Sequence, residues 1–174
     1  GGVVGYNNTG GIVVDCYNTG GVICSGYDVG GVVGYNYGIE VSACYNTGMV
    51  SGSFNVGGVI GSNAGTGTVT NSYYNSDVYR DGDSTSGVTG MTTEQFASGE
   101  VAYLLQDAQE EVEGVKPQVW GQTLSGETPD QYPALTSDVT RSILKVSFMI
   151  AGETEGSYTE YAAAYANPNG TLTS

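Results

Sequence analysis

The 174-residue chain contains no histidine and only four basic residues. Without histidine there is no Ser-His-Asp or Cys-His arrangement for nucleophilic catalysis. With 18 acids against 4 bases, the net charge is -14. Phosphate binding needs a basic face, so this balance excludes nucleic acid as a partner. It also disfavours an anionic membrane surface. No apolar run approaches the ~20 residues that a membrane-crossing helix needs, so no membrane insertion is expected. No signal-peptide or lipid-anchor pattern is present. The chain opens on Gly1-Gly2, in the middle of a repeat described below. It therefore reads as a piece of a longer protein, and its missing targeting signals say little about location. Cysteine is scarce too: Cys16, Cys24 and Cys44 form no CxxC. A zinc site would then need carboxylate ligands at unsuitable spacings. No metal and no cofactor is expected.

The basic residues are missing altogether from residues 1–76, which hold 19 of the 29 glycines and only three acids, Asp15, Asp28 and Glu40. This half is repetitive. Gly1-Gly2-Val3-Val4-Gly5-Tyr6-Asn7 returns as Gly30-Gly31-Val32-Val33-Gly34-Tyr35-Asn36 and as Gly57-Gly58-Val59-Ile60-Gly61-Ser62-Asn63. CYNTG at Cys16–Gly20 returns at Cys44–Gly48, with Tyr73-Tyr74-Asn75-Ser76 as a degenerate third member. The segments are too short and glycine-rich for helix. They are β-branched and bounded by Gly and Asn, the signature of strands and turns. The pattern predicts a mainly β fold: a short β-solenoid with about three short strands per 28-residue rung. Successive rungs would stack about 4.8 Å apart, since one rung cannot bury its own apolar face.

Stacking explains the pentapeptide. It sets Cys16 on Cys44, Tyr17 on Tyr45, and Asn18 on Asn46 and Asn75. Asn-Thr-Gly is corner chemistry, because Asn and Gly tolerate positive φ. Stacked Asn amides can hydrogen-bond from rung to rung. The cysteines are expected to be free, buried thiols. A Cys16–Cys44 disulfide competes, because rung spacing lies within the Cα range for a bridge, but side chains of stacked parallel strands point the same way.

GGVVGYN, GGVIGSN and the Cys44-to-Val50 pattern CYNTGMV resemble GLUG repeats, which occur in surface proteins of gut and oral bacteria, including non-catalytic regions of IgA-peptidase-like proteins. Three phased copies carry the resemblance over residues 1–76. TTEQFASGEVAYLLQD (92–107), VWGQ (119–122) and QYPAL (131–135) are similar to the stretch that commonly closes such an array. The resemblance implies a secreted or wall-attached protein and transfers no catalytic residue. The metal-binding His-Glu-x-x-His of an IgA peptidase cannot occur in a chain without histidine.

The second half divides at 77–137, a loop plus a helical capping segment, and 138–174, a small β module or its N-terminal part. Asp77, Asp81 and Asp83 invite a calcium reading, but the spacing is not that of a calcium loop and Arg80 interrupts it, which favours a solvated acidic loop. Thr92-x-x-Gln95 fits a capping box. Phe96, Val101, Leu104 and Leu105 supply an apolar stripe, with a break at Ser98-Gly99 and a main helix over about 99–109. Glu110-Glu111-x-Glu113 reads as its solvated end. A solenoid needs a cap on its last rung, and this helix with Trp120 and Tyr132-Pro133 is the candidate. A lone Trp beside such an element reads as packing rather than sugar binding. Ile143, Val146, Phe148 and Ile150 alternate as a strand. Residues 158–166 are read as strand over helix, and NPNGTLTS as turn plus strand.

The functional expectation is a non-catalytic, extracellular stalk or spacer segment, not an enzyme. The alternative is an adhesin module binding host glycan or extracellular protein through aromatic rows, with Tyr6 and Tyr35, and Tyr27 and Phe54, as candidate ligand-binding residues. A β-helix polysaccharide lyase or hydrolase needs long loops and several rungs to build a groove. Ice binding needs a flat Thr ladder, and Thr9, Thr19 and Thr47 keep no single row.

Overall fold

The computed structural model describes all residues except 112, 113, 115, 153, 155 and 171–174. Glu113 of the acidic run and the terminal TLTS lie outside the described residues. The chain divides into two compact units, Gly1–Thr93 and Glu94–Ser174.

The first unit is a set of short parallel sheets. The first repeat supplies β1 (Val4–Asn7), β2 (Ile12–Val14), β3 (Tyr17–Asn18) and β4 (Val22–Ile23). The second supplies β5 (Tyr27–Gly30), β6 (Val33–Asn36), β7 (Glu40–Ser42), β8 (Tyr45–Asn46) and β9 (Val50–Ser51). The third supplies β10 (Phe54–Gly57), β11 (Ile60–Asn63), β12 (Thr68–Thr70) and β13 (Ser72–Asn75), and β14 (Val88–Met91) follows. Each strand from β1 to β13 pairs with its equivalent one repeat away, and β14 extends one sheet beyond β13. The sheets are β1-β6-β11, β2-β7-β12, β3-β8-β13-β14, β4-β9 and β5-β10.

The complete second repeat holds five strands, not the expected three. One of the two extra strands, β5, lies in a stretch with no apolar run. The other arises because the segment ending in CYNTG is cut in two at Ala43, whose φ is 48°. Asp15 and Asn71, at the equivalent positions, have φ of 52° and 47°. The left-handed corner therefore sits just before Cys16 and Cys44, and not within Asn-Thr-Gly. That second corner is held by side-chain bonds. Asn46 Oδ1 accepts from Gly48 N at 3.1 Å and Asn46 Nδ2 donates to Gly48 O at 2.8 Å.

The third repeat is offset by one residue from the expected alignment. Tyr73 lies opposite Tyr45, and Tyr74 opposite Asn46. Ser72, not Tyr73, therefore stands in the cysteine position. Its Oγ donates to Thr70 O at 3.0 Å, as Cys44 Sγ does to Ser42 O at 3.1 Å. Asn75 does not stack on Asn46; its Nδ2 donates to Thr93 Oγ1 at 3.0 Å.

The core of this unit is a file of small apolar side chains, among them Val13, Val29, Val32, Val33, Val41, Cys44, Val59 and Ile60. The double glycines let the backbone come close to it. A Cβ on Gly31 would lie 2.1 Å from Gly58 O and 2.3 Å from Asn46 Cγ, distances that no real Cβ adopts.

Residues 77–91, expected to be a solvated loop, do structural work. Backbone N–H groups of Val32 and Val33 donate to Val59 O at 2.9 and 3.0 Å. The equivalent pair in the third repeat, Val59 and Ile60, donates instead to Asp83 Oδ2 at 2.9 and 3.0 Å. One carboxylate oxygen takes the place of the next repeat's carbonyl. Tyr79 is buried in the core, and its hydroxyl donates to Val56 O at 3.1 Å.

In the second unit, α1 (Thr93–Ala97) leads to α2 (Glu100–Asp107), with Gly99 left-handed at the break. This matches the expected short turn and main helix. β15 (Trp120–Gly121) pairs antiparallel with β16 (Ala134–Leu135), and β17 (Leu144–Ala151) with β18 (Tyr158–Ala166). The core holds Phe96, Val101, Ala102, Leu105 and a fully buried Trp120. Trp120 is thus packing and offers no ring face to a sugar. Residues 158–166 are strand, as expected. The alternation of β17 does not bury one face: Leu144, Val146, Phe148 and Ile150 all remain exposed.

Candidate functional site

The four candidate residues fall into two pairs on different sheets. Tyr6 of β1 stacks on Tyr35 of β6, with centroids 5.2 Å apart and planes 7° from parallel. Tyr27 of β5 stacks on Phe54 of β10 at 5.1 Å and 14°. In-register pairing fixes both, since Tyr6 lies opposite Tyr35 and Phe54 opposite Tyr27. Tyr27 is 70% exposed, Phe54 59% and Tyr6 56%, while Tyr35 is half-buried. The Tyr6–Tyr35 row ends at Ser62 in the third repeat.

Stacking limits what these rings can do. A sugar docks on an aromatic face, but each ring here spends one face on its neighbour. What each pair presents is two ring edges and the outer faces of the stack.

The third row resolves differently. Tyr17 stacks on Tyr45 at 5.2 Å and 12°, but Tyr45 is fully buried and Tyr73 nearly so. Tyr45 and Tyr73 are interior packing, and only Tyr17, at the open end of the row, is exposed.

Asparagine makes two ladders. Asn7 Nδ2 donates to Asn36 Oδ1 at 2.7 Å, and Asn36 Nδ2 to Asn63 Oδ1 at 2.8 Å. Asn18 Nδ2 donates to Asn46 Oδ1 at 2.9 Å. The CYNTG ladder matches the expected stacking; the ladder that closes GGVVGYN is a further one, at steps of 29 and 27 residues.

Among the described residues, no group of three His, Cys, Asp or Glu side chains comes together to hold a metal ion. Two acids of residues 77–91 are separately engaged. Asp83 caps the third repeat, and Asp77 Oδ2 accepts from Thr93 N at 2.8 Å. The Thr93 backbone N–H, then its hydroxyl, holds Asp77 below the usual carboxylate range. Two open grooves mark the first unit. One of about 460 Å³ is lined by Tyr37, Ile39, Thr66 and Thr68, and one of about 350 Å³ by Asn55, Ser62, Asn63, Ser84 and Thr85. Neither holds a titratable pair placed for acid–base chemistry.

The span from Tyr27 to Ser51 is thus one complete five-strand repeat. Residues 25–51 match the family model of the GLUG motif. This part of the chain is a GLUG-repeat region, and the matched residues coincide with the repeat that has a neighbour on both sides. No curated protein and no solved structure matches the chain. No helix among the described residues is long and apolar enough to cross a membrane.

Proposed function

We propose that residues 1–76 coil as a short β-solenoid and serve as a non-catalytic, extracellular stalk or spacer within a bacterial surface protein. One observation carries this reading. The polar and aromatic side chains that could form a site are spent on their own equivalents, Asn7 on Asn36, Asn18 on Asn46, Tyr6 on Tyr35 and Tyr27 on Phe54. Such contacts stiffen an array, because each repeat is held by nearest neighbours. The chain then acts by position, holding what lies beyond it away from its anchor.

The second reading is adhesion to host glycan or an extracellular protein. The 70% exposure of Tyr27 and the 59% exposure of Phe54 favour it. Glycan-array and mucin-binding assays on the folded chain separate the two. A spacer unfolds cooperatively and binds nothing above background. Binding that is lost in Tyr27→Ala with Phe54→Ala, or in Tyr6→Ala with Tyr35→Ala, overturns the spacer reading in favour of the adhesin.

A further inference from the structure

Cys16 and Cys44 hold equivalent places in adjacent repeats. Tyr17 lies opposite Tyr45, and Tyr45 N donates to Cys16 O at 3.0 Å. Both thiols point back toward the carbonyl two residues earlier, Cys16 to Val14 O at 3.3 Å and Cys44 to Ser42 O at 3.1 Å. Both pack on the same apolar core, yet their access differs. Cys44 is fully buried and Cys16 is half-buried, and all three cysteines are free. An accessible thiol beside a shielded one is the arrangement of an attacking and a resolving cysteine.

We infer that Cys16 is a reactive thiol for low-molecular-weight disulfides and that Cys44 resolves the adduct, closing a reversible bond between the first and second repeats. The Cys16 thiolate attacks one sulfur of the small disulfide, whose S–S bond breaks and releases one thiolate. The Cys44 sulfur attacks Cys16 Sγ, and the second small thiolate leaves and takes up the Cys44 proton. Two cysteine thiols are oxidised to one disulfide, and the small disulfide is reduced to two thiols.

Electrostatics support the assignment of roles. The Cys44 S–H, on turning from Ser42 O to the Cys16 sulfur, brings the Cys16 thiol down to about 7, against opposing effects of burial and Asp15. The same bond, with burial, pushes Cys44 far up. Cys44 and Asp15 are the titratable groups acting on Cys16. The geometry also sets the bond's character. In-register side chains stand about one strand spacing apart, about 4.8 Å, wider than the ~3.8 Å between Cβ atoms that a relaxed disulfide prefers. The closed bond is therefore strained and easily reduced.

The test is incubation of the native protein with oxidised glutathione, followed by intact mass and peptide mapping. The expected product has lost two hydrogens, carries a Cys16–Cys44 link and reopens in excess reduced glutathione. Cys44→Ser stops with one glutathione on Cys16; Cys16→Ser leaves Cys44 unmodified in the folded state; Cys24→Ser changes neither. The rate rises with a midpoint near pH 7. At pH 6 it is roughly fivefold that of an exposed peptide thiol of pKa about 8.5. Wild type that accumulates a glutathione adduct without closing, a Cys16–Cys24 link, or a rate midpoint at the ordinary thiol value overturns the proposal. The wild-type map needs no variant to fold.

Discussion

Both units bury amide side chains, and they use them in opposite ways. In the first unit an Asn side chain bonds to another copy of itself: Asn36 joins Asn7 to Asn63, and Asn46 receives Asn18. In the second unit the half-buried Gln106 and the buried Gln122 bond instead to backbone of other segments. Gln106 Oε1 accepts from Val119 N and Trp120 N, and Gln122 Nε2 donates to Phe96 O and Asp130 O. A ladder uses one solution repeatedly, so its parts depend on their copies. A network uses each residue once, so its parts depend on the local shape of the chain. The first design tolerates extension by whole repeats; the second does not.

The sharpest way to break the contrast is to disturb the spacing between repeats. Gly31→Ala drives a Cβ into Gly58 O and Asn46. A clash with backbone in a packed core is expected to cost about 3 kcal/mol. Gly5→Ala, where nothing lies within 4 Å, is expected to be near neutral. Urea unfolding of the two variants measures the difference. Equal midpoints would mean that the repeats can slide apart without penalty, and that stacking distance does not govern the first unit.

The next largest effect compares the amides themselves. Asn46→Ala leaves the Gly48 N–H and C=O without their partner and removes one bond of the Asn18 amide, which keeps those to Gly20. Its expected cost is about 2 kcal/mol, the scale of orphaned buried polar groups. Combined with Asn18→Ala, the loss should fall short of the sum, because the Asn18–Asn46 bond is already lost in either single variant. Gln122→Ala should cost a similar amount and add fully to Asn46→Ala. A double-mutant cycle by urea unfolding reads both. Additivity between Asn18 and Asn46 would mean that the ladder is no unit.

Much of the first unit was legible because its information is redundant. Steps of 27, 28 and 29 residues fixed the strand partners, the Tyr stacks and the CYNTG ladder. The misreading of the third repeat shows the limit. Matching letters placed Tyr73-Tyr74-Asn75 on Cys-Tyr-Asn, whereas the hydroxyl of Ser72 makes the thiol's bond to the carbonyl two residues back. Tyr74 then fills the space under Gly58 that Asn46 fills under Gly31. Function at a position, and not identity, kept the register. The capping role of Asp83 left no local signal, because its partners lie 24 and 23 residues away. In the second unit the helices and the β17 strand are readable from period; β18 is not, since Tyr158, Tyr161 and Tyr165 sit at helical spacing and its strand reading rests on the turn that follows. The amide network was not, since no pattern links Gln122 to Phe96. Of the candidate site, the pairing of the aromatics was legible, but the loss of ring faces to stacking needed the geometry.

A smaller effect tests whether a side chain can stand in for a repeat. Asp83→Ala withdraws the acceptor from Val59 N and Ile60 N at the edge of the third repeat. The expected cost is about 1.5 kcal/mol, the lower end for a bond to a charged group, because the site is only half-buried. Asp83→Asn keeps a carbonyl oxygen there and should recover about half of this. Amide exchange at Val59 and Ile60 should quicken in Asp83→Ala while Val32 and Val33, whose acceptor is a peptide carbonyl, stay protected. Equal protection of all four would mean that the carboxylate is not the third repeat's terminator.

The least costly prediction separates the units by acid. Asp130 is affected first by burial, which raises it. The Thr123 backbone N–H and the Arg141 guanidinium outweigh that and hold it below the usual carboxylate range. Arg141 Nη2 lies 2.6 Å from Asp130 Oδ2. A folded-state value below the unfolded one means that the stabilisation is complete above the unfolded carboxylate range, about 4. It is lost as pH falls through the folded value. Asp130 also sets its own backbone carbonyl against Gln122, so its protonation loosens the second unit's network at its centre. The ladders of the first unit contain no titratable group, since Asn bonds to Asn. Acid should therefore weaken the Trp120 signal, which reports the second unit, more steeply than amide protection of Val33 and Val41 in the first. Asp130→Asn should flatten the acid limb of the Trp120 signal and leave the Val33 and Val41 limb unmoved. The same slope for both probes in wild type would mean that the two units unfold as one, and that ladder and network share a single cooperative transition.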